Sequence, residues 1–351
     1  MNNLHVAFFP DWRANPYLDL LQKGLENCEV TVIESPVGGP YRTFLLSSRA
    51  KLDVLHFHWL YYVYSDRSLT HGCIELAKFV YRMLLARRLG YRIVWTMHNL
   101  YPHETVSPFL DRWMRLITLH FCDAVLLHCD QALHLLRSEF EWNGPAFVAP
   151  HGNYLGAYKN EITKEKARSI LNLPSGDLVF LHLGAIRRYK GLETMVSSFA
   201  SLDNSNIHLL IAGSEKPEGW FVQDHAYDVA CLDPRITLQL RWIEDDEIQN
   251  FMNASDFFVA PYHTILSSGS VILALTFGLP VIAPHIGCMP AYISDGAGIL
   301  FSPEDSFGLA KALESALGAD VKSMSTKAFE MAQSLDWSES ARITAEAYHD
   351  S

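Results

Sequence analysis

No Cys-x-x-Cys pair occurs among the six cysteines (28, 73, 122, 129, 231 and 288), and no His-Glu-x-x-His among the sixteen histidines. Thiolate zinc sites and metalloprotease helices are therefore excluded, and free thiols are the expected state of the cysteines. No run approaches the roughly 18–20 apolar residues of a spanning helix. The first residues, MNNLHVAFFPDWRANP, place no basic stretch ahead of an apolar one, so no secretory signal is expected. No Gly-x-Gly-x-x-Gly follows an expected strand with an acid about 20 residues on, which argues against a dinucleotide oxidoreductase. A basic excess is also missing. The chain has 28 Lys+Arg against 39 Asp+Glu, net −11, and nucleic-acid binders need a positive footprint.

What is present is apolar: 49% of the 351 residues, against 19% charged, with a mean hydropathy of +0.05. This is the composition of a folded chain. Single cores stop growing at about 250–300 residues, so two domains are expected. The charge divides accordingly. Residues 1–150 balance 14 Lys+Arg with 14 Asp+Glu, and the whole net −11 falls in residues 151–351.

Short apolar runs recur along both halves. Strands are expected at 5–10, 28–35, 53–60, 91–97, 123–128 and 146–152, with helices from Pro16, over 74–90 and over 108–121. A second series, 178–186, 207–215, 236–243, 257–262, 279–284 and 298–303, alternates with further helices, and two helices end the chain. Continuous apolar strands separated by amphipathic helices imply parallel sheets covered on both faces. The polar stretch 153–176 reads as a linker. In such sheets ligands sit beyond the carboxyl ends of the strands, so the loops there carry the chemistry. His56-x-His58 puts two imidazoles on one strand face, a weak signal for a structural metal.

Two strings in the second half converge on anion binding. LHLGAIRRYKGLETMVSSF sets a strand-end glycine, Arg187, Arg188 and Lys190-Gly191 ahead of a helix. APYHTILSSGSVILALTFGLPVIAP opens an apolar helix with Ser267, Ser268, Gly269 and Ser270. Cations and free helix-terminal N–H groups are what a diphosphate requires. Solvated surface cations and an ordinary serine cap are the plain alternatives.

These strings, with HLLIAGS, RWIEDDEIQNFMNASDFFVAPY and GAGILFSPEDSFGLAKAL in the same order, resemble the donor domain of the GT-B glycosyltransferases, closest to the family 4-like group. The resemblance implies an α/β chain of two Rossmann-like domains facing a central cleft. Its parts would be an acceptor domain over 1–155, joined by a returning helix at about 337–351, and a nucleotide-sugar donor domain over 170–336. It implies diphosphate contacts from Lys190, Arg187, Ser268, Gly269 and Ser270, and a base and ribose pocket from Trp242, Ile243 and Tyr262. The family's two glutamates, spaced Glu-x7-Glu, fall on Ile265 and Leu273 and are missing. The arginine that usually follows the strand-end glycine is replaced by Ala185.

In the first half, Asp11 stands in the loop after the first strand, where an inverting enzyme of this kind often keeps its base. Trp12, Arg13, His58 and His103 are expected on the acceptor side. His98 matches a family histidine that contacts the transferred sugar, and Glu104 is a further acid–base candidate. The aromatics of YYVYSDRS, after Trp59, could stack on sugar rings. Lys78–Arg92 holds five cations and no acid, interleaved with apolar residues, so the helix over 74–90 could lie on an anionic membrane.

The expected protein is a glycosyltransferase using a UDP- or GDP-sugar and a glycan or glycolipid hydroxyl. No Asp-x-Asp-like motif is visible, so neither metal nor other cofactor is expected. Its place would be cytoplasmic, or peripheral on the inner membrane face. A catalytically degenerate nucleotide-sugar binder and a nucleotide-sugar epimerase are the rival readings.

Overall fold

The computed structural model describes residues 3–11, 16–36, 39–60, 69–102 and 107–350. The chain divides into two compact units, Met1–Gly152 with Asp336–Ser351, and Asn153–Leu335.

The first unit runs β1 (Leu4–Phe9), α1 (Pro16–Glu26), β2 (Val30–Ile33), α2 (Arg42–Ser48), β3 (Val54–Phe57), α3 (Leu69–Leu89), β4 (Arg92–Thr96), α4 (Pro108–Phe121), β5 (Ala124–Leu127), α5 (Asp130–Phe140) and β6 (Ala146–Val148). Its six strands form one parallel sheet in the order β2-β1-β3-β4-β5-β6. The second unit runs α6 (Lys164–Ile170), β7 (Leu178–Leu183), α7 (Leu192–Ala200), β8 (Ile207–Ala212), α8 (His225–Leu232), β9 (Ile236–Gln239), α9 (Ile248–Ala254), β10 (Phe257–Val259), α10 (Gly269–Thr276), β11 (Val281–Pro284), α11 (Met289–Tyr292), β12 (Gly298–Phe301), α12 (Gly308–Ala316) and α13 (Val321–Ser334). It too is a six-stranded parallel sheet, in the order β12-β11-β10-β7-β8-β9. The last helix, α14 (Trp337–His349), belongs to the first unit.

Strands β3, β5 and β8 are buried at every position, which explains why their sequences are apolar on both faces, save for His56 and His208, rather than alternating. In the first core, Val6, Leu18, Leu21, Val54, Val94 and Leu126 pack with Ala341, Ala345 and Tyr348 of α14. The close seating of α14 depends on small residues. A Cβ at Gly24 would stand 2.8 Å from that of Ala341, and one at Gly152 would stand 2.3 Å from the Trp337 ring. The second core gathers Phe180, Leu192, Met195, Phe199, Leu209 and Phe221.

Three expectations are corrected. Residues 153–176 are not a linker: they belong to the second unit, and α6 packs on α9. Helix α5 was unforeseen. The free-thiol expectation holds at Cys28, Cys73, Cys122 and Cys231, but not at Cys129 and Cys288. Among the described residues, no helix is long and apolar enough to cross a membrane.

Candidate functional site

In the second unit, β7 is followed by Gly184, whose φ of +130° is open to glycine and strained for other residues. A 3-10 turn, Arg188–Lys190, follows, and Gly191 turns the chain into α7 with φ +66°. A Cβ at Gly191 would also stand 2.2 Å from the carbonyl oxygen of Pro261, so this turn requires glycine twice over. The geometry folds Lys190 inward until it is only 7% exposed. Its Nζ sits 5.7 Å from the centre of the Tyr262 ring. Burial, and then the charge of Arg187, push its pKa down to about 8.

The amino end of α10 meets the same place. Lys190 Nζ and Ser270 Oγ lie 3.1 and 3.2 Å from the point a Gly184 Cβ would occupy. Any side chain there would fill the space between them. Ser268 caps α10 by accepting from the Val271 N–H, and its Oγ is 3.3 Å from Tyr262 Oη. A buried ammonium, a serine hydroxyl and a helix amino terminus thus face one small space, which suits a phosphate group. Arg188 is turned elsewhere, over the Trp220 ring at 5.1 Å. Trp242 is 60% exposed beyond the edge strand β9, whereas the adjacent Ile243 is buried. Leu273 is buried within α10 and Ile265 is half-buried, so neither position offers a carboxylate.

Sequence reading missed His182 in this region. Its Nδ1 donates to the Val259 carbonyl at 3.0 Å, and its buried Nε2 meets no hydrogen-bond partner among the described residues. Burial, then Lys190, lower its pKa to about 3.

In the first unit a histidine follows each of four adjacent strands: His58 after β3, His98 after β4, His128 after β5 and His151 after β6. His58 Nδ1 is 3.3 Å from His98 Nε2, and His98 Nδ1 is 3.2 Å from His128 Nε2. His128 Nδ1 lies 2.9 Å from the Ala149 carbonyl oxygen, and His151 Nδ1 2.8 Å from that of Gly152. His98 stacks on Trp59 with ring centres 4.6 Å apart. Burial holds every one of these rings neutral. The pKa is about 4 at His128 and about 3 at His151, and well below the usual value at His58 and His98, where neighbouring histidines add to the effect. His128 and His151 were not anticipated, since a lone histidine after one strand carries no signal. The signal was its repetition at four strand ends.

The His56-x-His58 pair does not form a metal site. His56 spends both ring nitrogens on Tyr348 Oη and Thr96 Oγ1, each at 2.7 Å. Among the described residues no group of three or more His, Cys, Asp or Glu side chains could hold a metal ion. Asp11 follows β1, and its carboxylate accepts the Ser35 N–H at 3.1 Å. Trp12, Arg13, His103, Glu104 and the YYVYSDRS loop lie outside the described residues. A hollow of about 1040 Å³ in the first unit, lined by Asn3, His5, Asp53 and Arg92, is at the amino ends of the strands, away from these loops.

Residues 163–331 match the family Glycosyl transferases group 1. Over 310 residues the chain is 27% identical to a GDP-mannose:glycolipid 4-beta-D-mannosyltransferase of Xanthomonas campestris pv. campestris, covering 86% of this chain and 79% of that one. Sucrose-phosphate synthase from Thermosynechococcus elongatus superposes with a TM-score of 0.75 at 20% identity, covering 99% of this chain and 98% of the other. The Anabaena protein HepE, in complex with UDP and glucose, gives 0.72 at 16% identity, covering 99% and 100%. With a group 1 glycosyl transferase match over residues 163–331 in its second unit and a parallel Rossmann-like sheet in each unit, the chain has the GT-B glycosyltransferase fold and is similar to the family 4-like group.

Proposed function

We propose that this glycosyltransferase moves a hexose from a nucleoside-diphosphate sugar, with GDP-mannose the first donor to test, to a hydroxyl of a glycolipid. The observation that carries the reading is the convergence of Lys190, Ser270 and the α10 amino terminus over Gly184. Positive charge fixed in a buried place stabilises the diphosphate as it departs, without reorganising during the reaction. The Xanthomonas relative, named for GDP-mannose and a glycolipid, supports the choice of donor and acceptor. Asp11 supplies the base that takes the acceptor proton, which favours inversion, and the cations do the work of a metal. Trp242 and Ile243 contribute to the base pocket, and His98, with both ring nitrogens taken by His58 and His128, stands behind the sugar contacts.

A peripheral membrane location fits α3. Phe79 and Met83 are in the core, but Ile74, Tyr81 and Leu84 are exposed on the same helix as Lys78, Arg87 and Arg88. Such a face suits an anionic lipid surface. The empty glutamate positions Ile265 and Leu273 favour a second reading, a nucleotide-sugar binder without turnover.

The test is a melting-temperature screen against GDP, UDP, ADP and their sugars, followed by transfer to a crude glycolipid extract. Stabilisation by one nucleotide series with labelled lipid product is expected. Tight donor binding without transfer would establish the binder, and donor conversion without acceptor would indicate an epimerase.

A further inference from the structure

The four strand-end histidines do more than fill space, because their hydrogen bonds fix where every proton lies. His128 Nδ1 faces a carbonyl oxygen, which only an N–H can meet. The ring is neutral, so its Nε2 is a bare lone pair. His98 Nδ1, 3.2 Å away, must therefore carry the hydrogen, and His98 Nε2 must be bare. By the same step His58 carries its hydrogen on Nδ1. The chain of donors ends on His58 Nε2, a buried lone pair with no hydrogen-bond partner among the described residues. An acceptor left unmade in a buried place is costly, and such atoms are where a ligand belongs.

We propose that His58 Nε2 is a hydrogen-bond acceptor for a hydroxyl group of the sugar substrate, with His98 and His128 as positioning residues that set its tautomer. The inference rests on the transferase reading given above. His58 lines a cavity of about 40 Å³ together with Trp59, His98, Asn99, Pro102 and Arg115, all in the first unit. That is room for a hydroxyl group or a water molecule or two. The aromatic wall of Trp59 suits the apolar face of a sugar ring. A bare lone pair accepts and never donates. The site therefore takes a hydroxyl and refuses a phosphate, an ether or a carbonyl oxygen. The titratable rings that face the chain are His56, 4.1 Å from His58, and His151, 5.3 Å from His128, with Tyr17 beside His98 at 4.9 Å. Among the described residues no carboxylate shifts His58, His98 or His128, so none of them holds a proton on Nε2. Three bonds aligned in one direction polarise each other and strengthen the terminal acceptor.

The experiment uses the intact chain labelled with ¹⁵N-histidine at pH 7.5. His58, His98 and His128 are expected as Nδ1–H tautomers, opposite to the usual preference of imidazole in water. Titration follows with GDP-mannose, UDP-glucose, the free nucleotides and the glycolipid extract. The His58 Nε2 resonance should move with a sugar-bearing ligand and stay still with nucleotide alone. Movement with donor sugar alone assigns the transferred sugar, and movement only with extract assigns the acceptor. His128→Phe should raise KM for that substrate about tenfold and change kcat less, and His128→Gln, whose amide can accept from His98, should restore it. An Nε2–H tautomer at His58 or His98 would overturn the proposal whether or not the chain transfers sugar. So would measurable transfer with a silent His58, or an unchanged KM in a folded His128→Phe variant. Absence of any transfer with the tautomers as stated would count against the transferase reading alone.

Discussion

Lys190 is held as a cation where water would ordinarily be needed to support one. Burial lowers its pKa to about 8, so near neutral pH it is mostly charged but readily loses its proton above that. A diphosphate brought against it favours the charged form and raises the pKa. Donor binding should then take up part of a proton at pH 8–9, and affinity should fall as pH rises through 8. Calorimetry in two buffers of different ionisation enthalpy measures that proton directly. In Lys190→Ala, loss of a charge-assisted hydrogen bond worth about 1.5–3 kcal/mol should weaken GDP-mannose or UDP-sugar binding tenfold to a hundredfold. An unchanged affinity, or binding independent of pH, would remove Lys190 from the phosphate site. Lys190 was legible because strand, glycine, cation and helix follow one another within a dozen residues. His58 and His98 were legible only singly. Their connection to His128 depends on strand register, Phe57 beside Trp95 and Thr96 beside Leu126, which no local pattern encodes.

Among the elements, the central strands were readable because a strand covered on both faces is apolar along most of its length. Helix α6 was not, because KEKARSI buries only Ala167 and Arg168 and has the composition of a solvated linker. What fixes it is electrostatic. Asp256 sits just before β10 and accepts hydrogen bonds from the Val179 N–H at 2.7 Å and Arg168 Nη2 at 2.8 Å, with Lys164 on its other oxygen. Arg168 also donates to the carbonyls of Ala254 and Ser175. Removing one partner of a buried pair leaves the other charge uncompensated, which costs about 3–5 kcal/mol. Asp256→Ala should destabilise the second unit by that amount in urea titrations and expose α6 to exchange first. A loss below about 1 kcal/mol would mean that α6 is held by its contacts with α9 instead. The same reasoning places α3 half in the core, which sequence pattern alone could not resolve. Arg88→Glu combined with Tyr81→Ser, both at exposed positions, should reduce sedimentation with anionic phosphatidylglycerol vesicles and leave neutral vesicles unaffected. Equal sedimentation of variant and parent would remove α3 as a lipid-binding face.

At the scale of the whole molecule the two units differ in how they titrate. Among the described residues the first carries five buried histidines with lowered pKa values, His56, His58, His98, His128 and His151, and the second two, His182 and His208. The acids with lowered pKa values are mostly in the second, including Glu165, Asp233, Glu247 and Asp305. A histidine that is neutral when folded and titrates near 6.5 when unfolded is protonated first in the unfolded chain. Stability is therefore full above pH 6.5 and declines as pH falls from there toward the folded pKa. Each group lowered well below 5.5 loses about 1 kcal/mol between pH 6.5 and 5.5, so five cost the first unit up to about 5 kcal/mol, whereas in the second His182 costs about 1 and His208, lowered against two neighbouring carboxylates, less. The larger figure is comparable with the whole stability of a domain, about 5–15 kcal/mol. The carboxylates act in a lower window, since their stabilisation is lost only as pH falls below about 4.5. Hydrogen exchange read by mass spectrometry at pH 7.5 and 5.5, corrected for the intrinsic rate, should show β3, β4 and β5 losing protection on acidification while β7, β8 and β10 keep most of theirs. His56→Gln, which keeps a polar partner for Tyr348 and Thr96 without a titrating ring, should shrink the loss in the first unit by about one histidine's share. Uniform loss across both units, or protection in β3–β5 that does not change between the two pH values, would show that burial of the five rings does not set the acid stability of this chain.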